Sequence, residues 1–197
     1  MKATMPRKNA TCLLMAASLI VLAAGCGGPK TDGTTGGYVS GGKDTRLTRV
    51  APADRKAAPV IAGNDLEGNP VSTADFAGKT IVINVWGSWC PPCRAEAADL
   101  NAVAKAMKSK GVEFLGISVR EDAATTRAFT RKHGSSYPTI SDTTGQLSLG
   151  FVKSLPSLAI PTTWIIDAKG RVAVRIADKT TESTLTALVQ DVQESVS

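Results

Sequence analysis

The chain is poor in the side chains that bind metal ions, because it has four cysteines and one histidine among its 197 residues. A structural zinc site takes about four ligands, commonly two close pairs. Cys90 and Cys93 form one such pair, and the other sulfur and imidazole groups belong to Cys12, Cys26 and His133. These three residues form no second pair. We therefore expect no metal site and no other cofactor, and we assign His133, near a predicted helix end, no catalytic role.

The chain also lacks an apolar run of the roughly 20 residues that a transmembrane helix needs. Its apolar run from Cys12 to Ala24 is shorter and follows the basic residues Lys2, Arg7 and Lys8. A basic start followed by a short apolar run is typical of a secretory signal peptide.

The end of this run, Leu22-Ala23-Ala24-Gly25-Cys26, resembles a bacterial lipobox, in which the cysteine receives diacylglycerol and becomes the mature N-terminus. We expect residues 1–25 to be a lipoprotein signal peptide and Cys26 to be lipidated. Leucine is more usual where Ala23 stands, so cleavage at another small residue without lipidation is the alternative. Either way, we expect an extracytoplasmic protein, and with lipidation one anchored to the bacterial cell membrane.

Strong positive charge is absent from the expected mature chain. The net charge of the whole chain is +6, and loss of Lys2, Arg7 and Lys8 with the signal lowers it to +3. A balance this small gives no reason to expect a nucleic-acid partner.

The sequence divides into a tether and one domain. Residues 26–57 begin with a Gly- and Thr-rich stretch that has little to bury, which predicts a flexible tether. Residues 58–197 number about 140 and suffice for one domain with its own core. We see no repeat or second domain and expect a monomer.

Cys90-Pro91-Pro92-Cys93 directly follows an apolar β-type run, which is typical of thiol–disulfide exchange. A helix starting at this point stabilises a thiolate at the first cysteine. We therefore expect Cys90 to be the exposed attacking thiol and Cys93 the resolving thiol inside the first turn. Arg94 stands where covalent haem attachment needs histidine. A purely structural bridge is the alternative, although so small a loop constrains the unfolded chain little.

The apolar pattern alternates between strands and helices. It predicts a β-α-β unit and, after it, a second helix and a short strand. A hairpin and a final helix close the chain, and another short hairpin precedes the unit. The predicted segments are 81–85, 93–110 ending at Gly111, 112–119, 122–133, 138–140, 162–166 with 171–176, the final helix through Leu185 to Val196, and the early hairpin within 59–71.

Trp89-Cys90-Pro91-Pro92-Cys93, Glu96 and the later Ile160-Pro161-Thr162-Thr163 together resemble the TlpA/ResA type of thioredoxin-fold protein. The resemblance covers roughly residues 58–195. It implies an α/β, thioredoxin-like fold: a central mixed sheet flanked by helices, with an N-terminal hairpin and a central insertion.

The resemblance also implies roles for single residues. Cys90 and Cys93 take the redox positions, and Pro161 takes the place of a cis-proline whose peptide exposes backbone to an extended substrate; the alternative is a trans proline at a strand edge. Trp89 and Ile160 are expected to contact substrate. Glu96 takes the place of a buried acid that relays a proton with Cys93, unless it is an exposed helix glutamate.

Ordinary thioredoxins carry an aspartate six residues before the first cysteine, and Asn84 stands there in this chain. This departure favours Glu96 as the proton-transferring group.

The implied activity is that of a thiol–disulfide oxidoreductase. Its expected partners are exported proteins with thiols or disulfides, apocytochrome c among them, and a thiol-type electron donor in the membrane. The direction of exchange depends on the reduction potential. Two alternatives are a peroxiredoxin-like peroxidase, whose Pro-x-x-x-Thr/Ser-x-x-Cys setting is missing before Cys90, and a copper-binding module, which needs one more residue between the cysteines and a distant histidine.

Overall fold

The computed structural model describes residues 38–40 and 46–196. The predicted signal peptide, Cys12, the predicted lipidation site Cys26 and the first part of the predicted tether lie outside the described residues.

The described chain contains strands and α-helices in a mixed order. The strands are β1 (Tyr38–Ser40), β2 (Leu47–Val50), β3 (Ala62–Asn64), β4 (Pro70–Ser72), β5 (Thr80–Trp86), β6 (Val112–Val119), β7 (Thr139–Asp142), β8 (Thr162–Ile166) and β9 (Val172–Ile176). The helices are α1 (Pro91–Met107), α2 (Ala123–His133) and α3 (Glu182–Glu194), with 3₁₀ turns at Thr73–Phe76, Lys108–Lys110 and Leu147–Lys153.

Seven of these strands form one mixed sheet in the order β1-β2-β9-β8-β5-β6-β7. β5, β6 and β7 run parallel, whereas the pairs β5/β8, β8/β9, β9/β2 and β2/β1 are antiparallel. β3 and β4 form the separate early hairpin. The predicted α/β thioredoxin-like fold, with a mixed sheet, an N-terminal hairpin and an insertion before the closing hairpin, is confirmed.

The predicted β-α-β unit is made of β5, α1 and β6. α1 ends through a 3₁₀ turn at Gly111, whose φ of 74° lies in the left-handed region that glycine adopts without strain. α2 begins after Asp122, whose side chain accepts from the N–H of Thr125, and ends at Gly134 in the same left-handed conformation. Both helix stops match the positions predicted from the glycines.

The alternation of side chains along β5 places two apolar layers on opposite faces of the sheet. Val82 packs in the cluster that contains apolar residues of α1 and α3, such as Leu100 and Leu188. Ile81 and Ile83 point to the other face, in the cluster with Trp164. Because side chains alternate, Asn84 lies on the same face as Val82 and therefore faces α1.

The predicted tether boundary at residue 57 is wrong. β2 pairs with β9 in the central sheet, and Val50 is part of the core. Arg55, with a side chain 5% exposed, forms an ion pair of 3.1 Å with the fully buried Asp167. A segment this short carries too little apolar pattern to stand out beside the Gly-rich stretch, and its pairing partner lies more than 100 residues away.

None of the helices in the described part of the chain has the length and apolar character needed to span a bilayer.

Candidate active site

The N-terminus of α1 carries the two cysteines. Cys90 is the N-cap residue and Cys93 lies in the first turn, and a disulfide joins them with their Cα atoms 5.3 Å apart. Pro91 and Pro92 occupy the first helical positions, where a missing N–H leaves no hydrogen bond unmade. The backbone N–H of Cys93 donates to Cys90 Sγ at 3.2 Å. This donor and the positive end of the helix dipole both favour a thiolate at Cys90.

The expectation that Cys90 is exposed is wrong for this disulfide form. Cys90 is 2% exposed and Cys93 is 3% exposed, so exposure does not distinguish the two sulfurs. Trp86, Phe129 and Ile160 pack against the pair. Ile160 is 70 positions from Cys90, so the covering side chain cannot be identified from the local sequence.

Trp89 is the exposed member of the motif. Its side chain is 45% exposed, and its Nε1 donates to the carbonyl of Val119 at 3.1 Å. The indole ring lies so close to Gly87 that a Cβ there would collide with it. The glycine before the motif therefore allows the ring to lie against the loop, with the rest of the indole open to a partner. Trp86, by contrast, belongs to the core, as predicted.

Pro161 lies beside the disulfide in a cis peptide with Ile160. The carbonyl oxygen of Ile160 is 3.8 Å from Cys90 Sγ. The turn before it is held by the Thr162 hydroxyl, which donates to the carbonyl of Ala159 at 2.7 Å. The cis peptide matches the expectation for Pro161, and the geometry brings this loop and α1 together at one edge of the sheet.

Glu96 is buried, as its predicted role requires. The residue is 1% exposed, and its carboxylate accepts from Asn84 Nδ2 at 3.1 Å and from the Thr180 N–H at 2.9 Å. The pKa of Glu96 is raised to about 7, chiefly by burial and also by the charges of nearby Asp178 and Asp99, while the two hydrogen bonds partly offset this rise.

Asn84 connects Glu96 to the closing hairpin. The same amide nitrogen also donates to Thr163 Oγ1 at 3.0 Å, and Asn84 is 1% exposed. At the position of the thioredoxin aspartate, this chain therefore has a buried amide that donates a hydrogen bond to the Glu96 carboxylate. This arrangement fits the expectation that Glu96 is the group able to change its protonation state here.

Glu121 is a residue beside the site that the sequence analysis missed. Its carboxylate accepts from the backbone N–H of Ser88 at 3.1 Å and from the Ser88 hydroxyl, so it holds the loop between β5 and α1. Hydroxyl groups of Ser118 and Thr126 also donate to it, at 2.5 and 3.2 Å. One signal was available, because Glu121 follows β6 and the carboxyl ends of parallel neighbours β5 and β6 meet at one edge.

No group of three or more His, Cys, Asp or Glu side chains suited to a metal ion occurs within residues 46–196. His133 is the last residue of α2 and its ring stacks on Phe129 with centroids 4.1 Å apart.

A disulfide at a helix N-terminus beside a cis-proline, on this mixed sheet, defines a thioredoxin-fold protein of thiol–disulfide exchange. Comparisons with known proteins agree. The AhpC/TSA family profile matches residues 55–175. The thiol–disulfide oxidoreductase ResA of Bacillus thuringiensis subsp. konkukian is 31% identical over 130 residues, covering 66% of this chain and 73% of the relative.

Solved structures give the same result. A thiol:disulfide interchange protein of the thioredoxin family from Chlorobium tepidum TLS superposes with a TM-score of 0.66 at 31% identity, covering 72% of this chain and 99% of that chain. A secreted thiol-disulfide isomerase from Corynebacterium glutamicum gives 0.66 at 28% identity, covering 79% and 98%. The chain belongs to the AhpC/TSA family and, within the thioredoxin fold, to the ResA-type thiol–disulfide oxidoreductases.

Proposed function

We propose that this oxidoreductase works outside the cytoplasm and reduces disulfides of exported proteins, apocytochrome c among the candidate clients. The likeness to ResA proteins and to a structure described as secreted supports the setting. The observation that carries the reducing direction is the buried carboxyl of Glu96, one helical turn beyond Cys93.

The proposed reaction begins from the dithiol. The Cys90 thiolate attacks one sulfur of the client disulfide, forming a mixed disulfide and releasing the other client sulfur as a thiolate. Cys93 then loses its proton and attacks Cys90 Sγ, which releases the second client thiol. Two electrons pass from the enzyme to the client, and the Cys90–Cys93 disulfide remains. A thiol-type donor in the membrane restores the dithiol.

Glu96 is proposed to accept the proton that Cys93 loses. With a pKa of about 7, the carboxyl exchanges a proton near neutral pH, where a general base is most effective. Its negative charge when ionised also disfavours thiolates nearby. Because a stabilised thiolate form makes a dithiol a weaker reductant, a buried carboxylate favours the reducing direction.

The client is proposed to lie against Trp89 and along the Ile160–Pro161 turn. Trp89 supplies exposed aromatic surface next to Cys90, and the Ile160 carbonyl lies beside Cys90 Sγ, the attacking sulfur. An extended client segment can pair with the backbone there.

The reduction potential of the Cys90–Cys93 couple tests the direction. The purified protein is equilibrated in a series of dithiothreitol or glutathione buffers, and the dithiol fraction is measured by thiol alkylation. A reductase is expected to have a potential more negative than about −220 mV, below the poise of oxidising compartments. A potential near about −120 mV, that of a strong oxidant, would contradict the proposal.

The copper-binding alternative predicts a different behaviour. Titration of the reduced domain with copper should then give a defined stoichiometric complex. The absence of such a complex would contradict the copper-binding function.

A further inference from the structure

We propose that a groove next to the disulfide selects client segments that carry an acidic side chain near the target cysteine, with Arg120 as the residue that recognises it. This inference rests on the proposed function and adds to it the chemistry of the client.

The groove adjoins the reacting sulfur through one shared residue. It has a volume of about 190 Å³ and lies between the end of β6, the 3₁₀ segment Leu147–Lys153 and the turn before Pro161. Ile160 lines this groove, and its carbonyl oxygen is 3.8 Å from Cys90 Sγ. A polypeptide that presents its disulfide to Cys90 can therefore place the residues next to its cysteine in this groove.

Arg120 is the only charged residue among the groove's lining residues. It is exposed, and its guanidinium makes no hydrogen bond or ion pair with any other residue in the described ranges 38–40 and 46–196. A guanidinium binds carboxylates with two parallel hydrogen bonds when its donors are unoccupied.

The carboxylates next to Arg120 in the chain, and that of Asp142, whose carbonyl accepts from the Arg120 N–H, already accept hydrogen bonds from other groups. Asp122 accepts from the Thr125 N–H at 2.7 Å. Glu121 accepts from Ser88, Ser118 and Thr126. Asp142 accepts from the Gly145 and Leu147 N–H groups at 2.9 and 2.8 Å. The positive charge of Arg120 is thus not neutralised by an ion pair and remains complementary to an acidic ligand.

The backbone holds Arg120 at this position despite a local cost. Its φ of 59° makes it the only residue other than glycine with a left-handed conformation in the described part of the chain. A residue with a Cβ is strained in this conformation. Its N–H donates to the Asp142 carbonyl at 3.4 Å, which ties the turn to β7.

Exposed apolar side chains indicate that the occupant is a polypeptide. Leu158 is 83% exposed and Leu149 is 41% exposed, and both line the groove. Together with Arg120 they offer apolar contacts and one cationic contact beside the Ile160 backbone. This combination fits an extended client segment with an apolar and an acidic side chain close to its cysteine.

The test uses the full mature protein, reduced with dithiothreitol and then freed of it. The probes are short peptides with one cysteine in a disulfide with neutral 2-thiopyridine, and with one Asp at varied distance from that cysteine. Each has a twin with Asn. Cys90 attacks the peptide sulfur, 2-thiopyridone leaves, and its release gives the rate constant.

The measured quantity is the Asp-to-Asn ratio of rate constants at the best spacing. We expect a ratio of about 3 to 5 at low salt, as for one partly exposed ion pair, that falls with added salt. Arg120→Gln should bring the ratio to about 1 and Arg120→Lys should retain most of it. Arg131→Gln removes an exposed arginine at the end of α2 and should leave the ratio unchanged.

Equal rates for the Asp and Asn peptides, or a ratio that survives Arg120→Gln, overturn the inference alone. A stronger Arg120-dependent preference for oxidised glutathione than for any Asp peptide overturns the polypeptide occupant. If the reduced protein attacks no probe at all, the proposed function fails and this inference fails with it.

Discussion

A carboxyl group that is 1% exposed and has its pKa raised to about 7 changes its charge within the working range of most enzymes. At the scale of residues, this property separates Glu96 from the surface glutamates of the chain. The two cysteines are distinguished by their hydrogen bonding and by their positions in the helix. The backbone N–H of Cys93 donates to Cys90 Sγ, and Cys93 itself lies in the first turn of α1, at the position of the resolving thiol.

Cys93→Ser should accumulate a mixed disulfide between Cys90 and the natural client, because the attacking thiol remains while the resolving thiol is absent. The complex is captured in cells, alkylated and analysed on non-reducing gels followed by mass spectrometry. Cys90→Ser is the matched control and should capture little. Capture through Cys93 instead would reverse the two roles.

Glu96→Gln should keep the disulfide but change the pH dependence of the resolving step. In the parent protein, Glu96 becomes a carboxylate as the pH rises through about 7 and can then accept the proton of Cys93. The parent rate should therefore rise through this range, and the Gln variant should lose that rise. Exchange rates should be measured between about pH 5 and 9, a range that includes the pKa values of perturbed thiol and carboxyl groups.

The same variant also tests the raised pKa through the pH dependence of folding stability. Ionisation of Glu96 should speed the resolving step but lower the stability of the parent protein. The folded pKa of Glu96 is raised, so its favourable contribution is complete below about pH 4.5 and is lost as the pH rises through about 7. Glu96→Gln should therefore gain stability relative to the parent at pH 8 compared with pH 5. Glu67→Gln, at an exposed site, is the control for both measurements. Superimposable profiles for parent and Glu96→Gln would return Glu96 to a structural role.

At the scale of elements, the segment from β2 to Arg55 is part of the folded domain. β2 adds to the sheet next to β9, and Arg55 reaches the buried start of the closing hairpin turn at Asp167. Burial raises the pKa of Asp167, but hydrogen bonds and charge from Arg171 and Arg55 outweigh it, and the pKa is lowered. The ion pair thus connects two distant elements.

Arg55→Gln should lower the free energy of unfolding by about 3 kcal/mol at neutral pH, since it leaves a buried carboxylate with one partner fewer. A group with a lowered folded pKa stabilises the protein above its unfolded pKa, about 4 for Asp, and loses this effect as the pH falls through the folded value. The difference between variant and parent should therefore shrink in acid.

Chemical denaturation at several pH values measures this difference. Arg49, in β2, forms an exposed ion pair of 2.9 Å with Asp191. Arg49→Gln should lower the free energy of unfolding by less than about 1 kcal/mol. Equal effects of the two substitutions would show that burial does not strengthen the Arg55 pair.

At the scale of the whole molecule, the parallel strands and the closing hairpin bring α1, Glu121 and the Ile160–Pro161 turn to one edge of the sheet. The elements that meet there are far apart in the chain, so the site exists only in the folded domain. If Cys26 carries the expected lipid, the segment between Cys26 and β1 connects the domain to the membrane.

Cys26→Ala should release the protein from the membrane or block its processing, because the thiol that accepts the lipid is gone. The native protein is expected in the detergent-extracted membrane fraction, and fractionation with immunoblotting compares the two. Cys12→Ala, in the predicted signal peptide, is the control and should not alter the distribution. Soluble release of the unmutated protein would leave an ordinary signal peptide and no lipid anchor.

The local signals of this chain were enough for most of the elements. Apolar periodicity identified β5 and β6, and Gly111 and Gly134 marked the helix ends. The spacing of Cys90 and Cys93 also predicted thiol–disulfide exchange, since two thiols at this spacing before a helix need no distant partner to form a disulfide.

Tertiary structure alone decided the surroundings of those residues. The burial of Glu96 depends on Asn84 and Thr180, and the burial of Cys90 depends on Ile160. Strand β2 depends on β9, which follows it by more than 100 residues. Periodicity and helix caps act over a few neighbouring residues, whereas burial and strand pairing depend on which distant segments the fold brings together, so the pKa of Glu96 and the start of the domain could be known only from the folded chain.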